Sequence, residues 1–331
     1  MLYTIPKEDL RIGMFVILPK WHFDHPEIGN RFLITSEEQL NIILDSDIET
    51  IQVDSAMSRA SNDFQQITHP VSQKDSEPPA WDPQKEFAEE LRAIIRSSEV
   101  DPKAKAIAVY DKSLAIMKAL FSKPTAQVLG ETKKVIAQIV DLILNDEETN
   151  QNLMQITSHD FYTYTHSVSV GIYGISLAKR LYKGISGHNL HEIGAGFFLH
   201  DLGKIKVSPA ILNKPGRLND DEMKKMRIHP FQSFKILEQA NRLSGECRVI
   251  CLQHHEREDG SGYPGHLSCD QIHDYARVCS IADVYDALTA DRSYKKALSP
   301  FEALRVMKEE MLGFFDKELF GNLVRLFNAF T

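Results

Sequence analysis

The sequence holds little of what a secreted, membrane-bound or nucleic-acid-binding chain needs. Its four cysteines, Cys247, Cys251, Cys269 and Cys279, form no CxxC pair. A thiolate metal site is therefore disfavoured, and buried thiols in a reducing compartment are expected. No apolar run approaches the ~18 residues of a membrane span, and the N-terminus lacks the charged-then-apolar order of a signal peptide. The expected location is cytoplasmic. Lysine and arginine number 38 against 46 aspartates and glutamates, a net charge of −8. That balance gives no electrostatic footprint for a nucleic-acid polymer, while a small anionic ligand needs only local positive charge. Neither an internal repeat nor a low-complexity tract is present.

What is present is a 331-residue chain, 43% apolar, long enough to bury a sizeable core. The pattern predicts a mostly α fold: a small α+β domain, then an all-helical one. Residues 1–58 read as a small α+β regulatory domain. Leu10, Ile12, Met14 and Val16 alternate as in a half-buried strand, as do Ile51 and Val53, and Ser36 to Gln39 fits a capping box ahead of Leu40, Ile43 and Leu44. His22 and His25 have no further ligand nearby and read as surface residues. Residues 59–82 are polar and proline-bearing, a linker by composition. Residues 83–149 read as connecting helices, with N-cap-plus-proline starts at Asp82-Pro83 and Asp101-Pro102. Ile107, Tyr110, Leu114, Met117 and Phe121 step by three and four, a stripe expected to face a bundle core. Val128, Val135, Ile139 and Leu142 continue that pattern, and from residue 150 to 331 helical periodicity dominates.

The dipeptide His-Asp occurs at 159–160, 200–201 and 273–274. The middle copy ends the apolar run AGFFLH (Ala195–His200) and leads into Leu202-Gly203-Lys204. A carboxylate there is costly to bury unless paired or metal-bound, and Lys204 lies close to one helical turn beyond Asp201. His166, His229, His254, His255 and Asp283 offer donors of the same kind. An imidazole-and-carboxylate set without thiolate suits iron, manganese or zinc in an open catalytic site. Seven donors exceed what one metal needs, and two metals sharing Asp201 would use them all. His188, His191, His266 and His273 read as core or surface residues.

The elements HDLGK (His200–Lys204), HP (His229–Pro230), HHEREDGSGYP (His254–Pro264) and ADVYDALTADRSYK (Ala282–Lys295) resemble, in order and spacing, the HD-GYP domain, a subgroup of the HD phosphohydrolases. The N-terminal part resembles a small uncharacterised domain often found ahead of such domains. The resemblance implies a helical fold around two or three divalent metals, iron or manganese first and zinc or nickel next, that hydrolyses the bacterial second messenger cyclic di-GMP. Carried over by position, His166, His200, Asp201 and Asp283 would hold one metal, and Asp201, His229, His254 and His255 the other. Lys204 would meet the substrate phosphate together with Arg292 and Lys295, and Gly262, Tyr263 and Pro264 would border the pocket. Three positions depart from the family pattern. Tyr162 stands where three-metal members carry glutamate, which favours two metals. Ser233 replaces a glycine, read as a packing change, and RSYK replaces RPYK while keeping both cations.

The implied reaction is attack on phosphorus by a hydroxide bridging two metals ~3.5–4 Å apart. It would give linear pGpG, with GMP as a further product. Lys204 and Asp201 would carry the catalytic roles, Arg292 would grip the other phosphate, and Tyr263 would offer its ring to a base. Lys214 and Arg217 read as solvated charges near the entrance. The loop beside the histidine pair is expected to be free enough to admit a dinucleotide. Other readings are the same chemistry on 3′,3′-cyclic GMP-AMP, a non-catalytic cyclic-dinucleotide sensor, and a nucleotide phosphohydrolase. The N-terminal part is expected to regulate, to form a homodimer or to meet a signalling partner protein.

Overall fold

The computed structural model describes residues 2–18, 31–44, 50–54, 57–58, 83–97, 99–156, 163–291 and 296–328. The chain forms two compact units, Met1–Ala80 and Trp81–Thr331. The stretch read as a linker, His22 and His25, the first His-Asp pair, Tyr162, Arg292 and Lys295 all lie outside the described residues.

The first unit is a four-stranded antiparallel sheet of β1 (Leu2–Pro6), β2 (Phe15–Ile17), β3 (Arg31–Leu33) and β4 (Thr50–Asp54), in the order β1-β4-β2-β3, with helix α1 (Glu37–Leu44). Ile51 and Val53 point inward from β4 and meet Met14, Val16, Ile34 and Ile43 in one small core. Alternation over residues 10–16 is only partly a strand. Leu10, Met14 and Val16 are buried, but β2 starts at Phe15 and Ile12 is exposed. At α1, the Ser36 hydroxyl accepts from the Gln39 N–H, while the Gln39 side chain reaches back to Thr35 rather than to Ser36.

The second unit is helical. Helices α2 (Pro83–Arg96), α3 (Pro102–Ser122), α4 (Ala126–Asn145) and α5 (Glu147–Gln155) come first, followed by α6 (Thr163–Tyr182) and α7 (Leu190–Leu199). Next are the short α8 (Pro209–Leu212) and α9 (Asp220–Met226), then α10 (His229–Gln239), α11 (Gly245–Gln253), α12 (Asp274–Thr289), α13 (Pro300–Glu310) and α14 (Lys317–Asn328). Their limits follow capping chemistry. Asp101 caps α3 through the Ala104 N–H with Pro102 in the first turn, and Thr125 caps α4. Asp146 caps α5 and pairs with the buried Lys105 at 3.3 Å. Burial pushes the Asp146 carboxyl up, but bonds from Thr149 and the lysine outweigh it and hold the carboxyl low.

Helix α6 is the centre of this unit: every residue from Thr165 to Ala178 is buried. It packs against α7, α12 and α3. The face that α3 buries is turned by about one residue from the expected stripe. Ala106, Val109, Tyr110, Ser113, Ile116, Met117 and Leu120 are buried, Ile107 is exposed, and Phe121 is only half-buried. Small residues (Ala106, Ser113) make that contact, and apolar count alone cannot register them. No described helix is long and apolar enough to cross a membrane.

Candidate metal centre

Helix α7 is apolar from Ile193 to Leu199 and wholly buried there, so its C-terminal end delivers His200 and Asp201 into the core. A 3-10 turn, Leu202–Lys206, then carries the chain past α10. The approach is tight: a Cβ on Gly203 would lie 2.0 Å from the His229 carbonyl oxygen, so only glycine fits. The Ser233 hydroxyl donates to the His200 carbonyl (2.6 Å) and accepts from the Gly203 N–H (2.7 Å). Ser233 therefore ties α10 to the His-Asp turn, a larger role than the packing change read from sequence.

His166 comes from the first turn of α6, His229 from the start of α10, His254 and His255 from the end of α11, and Asp283 from the middle of α12. All seven converge. Donor atoms of Asp201, His229, His254 and His255 lie within 4.8 Å of one another, as do those of His166, His200 and Asp283. Asp201 joins the two groups. Its Oδ2 is 3.4 Å from both His166 Nε2 and His200 Nε2, and its Oδ1 is 3.1 Å from His229 Nε2 and 3.8 Å from His254 Nε2. His166 Nε2 is also 3.0 Å from Asp283 Oδ1, and Lys204 Nζ pairs with Asp201 Oδ2.

The rings are oriented by local backbone. His200 Nδ1 donates to the Phe197 carbonyl (2.7 Å), His229 Nδ1 to that of Met226 (2.8 Å), and His254 Nδ1 to those of Ile250 (3.1 Å) and Cys251 (3.0 Å). These carbonyls lie at helix ends, and that of Ile250 also accepts from the His254 backbone N–H. A carbonyl only accepts, so Nδ1 carries the hydrogen and Nε2 presents a lone pair. Yet His229 Nε2 faces His254 Nε2 at 3.3 Å. His200 Nε2 and Asp201 Oδ1 are buried with no hydrogen-bond partner. Lone pairs converging on an unsatisfied carboxylate oxygen are what a divalent cation requires. The residues fit a metal.

The charge states agree. Burial pushes Asp201 and Asp283 up, but Lys204, His200 and the hydrogen bond from His166 outweigh it at Asp201, and His166, with His255 and His200, outweighs it at Asp283, so both carboxyls lie below their ordinary value. Burial, with the nearby imidazoles, pushes His254 down to about 3 and His255 down as well, so both stay neutral. Burial opposes a proton on His166, but bonds to Asp201, Asp283 and Asp286 outweigh it and raise its pKa. Without a cation, His166 is thus the counter-charge for the carboxylates. Asp286 Oδ2 sits 2.7 Å from His166 Nδ1. Sequence reasoning missed Asp286, although it stands one helical turn from Asp283.

The loop after the histidine pair is pinned rather than free, which corrects the expectation above. Buried Glu256 accepts from the Gly265 N–H (2.6 Å) and the Leu267 N–H (2.9 Å), and the Tyr263 N–H bonds the His255 carbonyl (3.1 Å). A Cβ on Gly262 would lie 2.5 Å from the Glu256 Cα and the His255 carbonyl. Tyr263 therefore folds over His255, ring centroids 4.6 Å apart, with the Arg227 guanidinium 5.2 Å from its ring. Gly262 is buried beneath it and Pro264 is exposed. A cavity of about 1010 Å³ opens on the centre, with His166, His229, His255, Asp283, Lys204 and Tyr263 in its wall. Lys214 and Arg217, read from sequence as solvated, also line it, Lys214 pairing with Glu222 at 2.5 Å.

The HD domain family profile matches residues 148–319, more than half the chain. The chain belongs to the HD domain family. Residues 2–135 match a domain of unknown function, DUF3391, so both halves of the resemblance read from the motifs are borne out. Over 331 aligned residues the chain is 33% identical to a cyclic di-GMP phosphodiesterase of Pseudomonas aeruginosa, covering 98% of this chain and 76% of that one. It is 35% identical over 167 residues to a 3′3′-cGAMP-specific phosphodiesterase of Vibrio cholerae, covering 50% of this chain and 36% of the relative. Among solved structures, an HDG"Y"P protein of Bdellovibrio bacteriovorus shares the fold with a TM-score of 0.65 at 16% identity, covering 99% of this chain and 100% of that one. This HD domain thus carries a His/Asp cluster that can bind metal.

Proposed function

We propose that this chain is a metal-dependent phosphodiesterase that hydrolyses cyclic di-GMP to linear pGpG, and onward to GMP. The observation that carries the reading is the double cluster of donors bridged by the two oxygens of Asp201, at the wall of a cavity that also presents Lys204. Two divalent ions, iron or manganese first and zinc or nickel next, would be held by His166, His200, Asp201 and Asp283 and by Asp201, His229, His254 and His255. Bound there, they would supply Lewis-acid charge and an activated water. Hydrolysis adds a water oxygen to phosphorus and breaks the P–O3′ bond, and the leaving oxygen needs a proton. Lys204 Nζ, paired with Asp201 and open to the cavity, neutralises charge on the phosphoryl oxygens and is the group placed to give that proton. The buried helices around the centre keep bulk water from the His200 and His254 rings, while His255 is partly open to the cavity. Arg292 and Lys295 complete the phosphate contacts in this reading. Residues 1–58 act as a regulatory or dimerising domain, joined through 59–82 and the helices of 83–149 to the catalytic domain of 150–331.

A second substrate, 3′,3′-cyclic GMP-AMP, is favoured by the Vibrio cholerae relative, which aligns with half of this chain. One experiment separates the readings: anaerobic purification, metal analysis, then chromatography of products from each cyclic dinucleotide, with Asp201→Asn as control. About two metals per chain and cleavage of cyclic di-GMP, both lost in the variant, are expected. Cleavage of cyclic GMP-AMP alone would replace the substrate. Full metal with tight binding and no product from either would make the chain a sensor.

A further inference from the structure

A cyclic dinucleotide presents two purine rings, and flat rings of that size are held by stacking on aromatic side chains. Apart from histidines, the aromatic residues lining the cavity are Phe121, Tyr164 and Tyr263, among the described residues. Tyr263 is already engaged by the His255 ring and the Arg227 guanidinium. Tyr164 has a polar or ring contact of its own. Phe121 differs from both. It is half-buried, it lines the cavity, and it makes no ring or cation contact with any described residue.

Its position in the chain is unexpected for a ligand contact. Phe121 stands in the last turn of α3, which packs against α6, the helix carrying His166. Its neighbour Leu120 is fully buried in the core, while Phe121 stays at the core's border beside the cavity. The residue also lies outside the stretch matched by the HD profile and inside that matched by DUF3391. Helix α3, ahead of the HD match, thus contributes one residue to the cavity wall.

We propose that Phe121 forms a purine-stacking subsite, so that residues outside the HD match set affinity for the nucleobase. The ligand class, a purine nucleotide, rests on the phosphodiesterase reading above. The test uses the full manganese-loaded chain and the variants Phe121→Leu, which keeps apolar bulk without a π face, and Phe121→Trp, which restores one. Five quantities are read: affinity for GMP by calorimetry, KM and kcat for cyclic di-GMP, turnover of bis(p-nitrophenyl) phosphate, which has no purine, and bound metal.

Phe121→Leu should weaken GMP binding and raise KM about tenfold, the scale of one base–aromatic stack. Its kcat, its bis(p-nitrophenyl) phosphate turnover and its metal content should stay unchanged, and Phe121→Trp should recover affinity. Equal GMP affinity and KM in Phe121→Leu and the parent overturn the subsite. So does a parallel fall in GMP affinity, kcat, bis(p-nitrophenyl) phosphate turnover and bound metal, which would mark a packing role. If the parent binds GMP but leaves cyclic di-GMP intact, the phosphodiesterase reading fails while the GMP comparison still decides the subsite. A parent that neither binds GMP nor cleaves cyclic di-GMP overturns both.

Discussion

Asp286 Oδ2 lies 2.7 Å from His166 Nδ1, on the side of the ring opposite the nitrogen that faces Asp201 and Asp283. The contact fixes the ring and raises the basicity of Nε2, as carboxylates behind metal-bound imidazoles do. Asp286→Asn preserves shape and removes the charge. The expected outcome is a 10–100-fold loss in metal affinity, read by competition with a coloured chelator, with the thermal midpoint little changed. Unaltered affinity would reduce Asp286 to a structural partner.

Glu256 is buried and satisfies two backbone N–H groups of the loop over His255. Glu256→Ala leaves both donors without an acceptor, and each such group costs about 1–3 kcal/mol when buried. A drop of that order in unfolding free energy is expected from urea titration, along with faster proteolysis within residues 259–268. A loop as resistant as the parent's would show that it is held by something other than Glu256.

Removing metal should destabilise the chain, because converging imidazole lone pairs and the partnerless Asp201 Oδ1 are left without a cation. A ligand at a hundred times its dissociation constant stabilises by about 2.7 kcal/mol. Exhaustive chelation should therefore lower the thermal midpoint, and adding manganese back should restore it. Identical midpoints with and without metal would contradict the fit drawn from the donor geometry.

The seven donors were legible because each sits in a short motif whose residue types are unusual in a helical core. Their supports were harder to see. The carbonyls that orient His200, His229 and His254 lie three or four residues upstream, at helix ends. That pattern is local and could have been read once those ends were fixed. Ser233, Glu256 and Asp286 act through contacts that only the packing of α10 on the His-Asp turn, the fold-back of the Tyr263 loop and the approach of α12 to α6 create. The same limit explains α3. Periodicity found a helix and put Phe121 on its core-facing stripe; Phe121 does pack against the core, but it also lines the cavity, which an apolar residue does not reveal in sequence.

The metal-free chain should lose stability on acidification, and the sign follows from individual groups. His254 has its pKa held down to about 3 and His255 is shifted the same way, so between there and the ordinary histidine value of 6.5 the unfolded chain binds protons that the folded one refuses. Their contribution is complete above 6.5 and is lost as pH falls. The lowered carboxyls of Asp201 and Asp283 add to that loss below their ordinary value of 3.8. His166 acts oppositely: with its pKa raised, its contribution is complete below 6.5 and fades at higher pH. Urea midpoints of chelated protein should therefore peak near pH 6.5 and fall toward pH 4. Bound metal should flatten the upper side, because it takes over the charge that the His166 proton supplies. A midpoint that climbs steadily from pH 6 to pH 4 would mean that these rings are not buried as neutral donors.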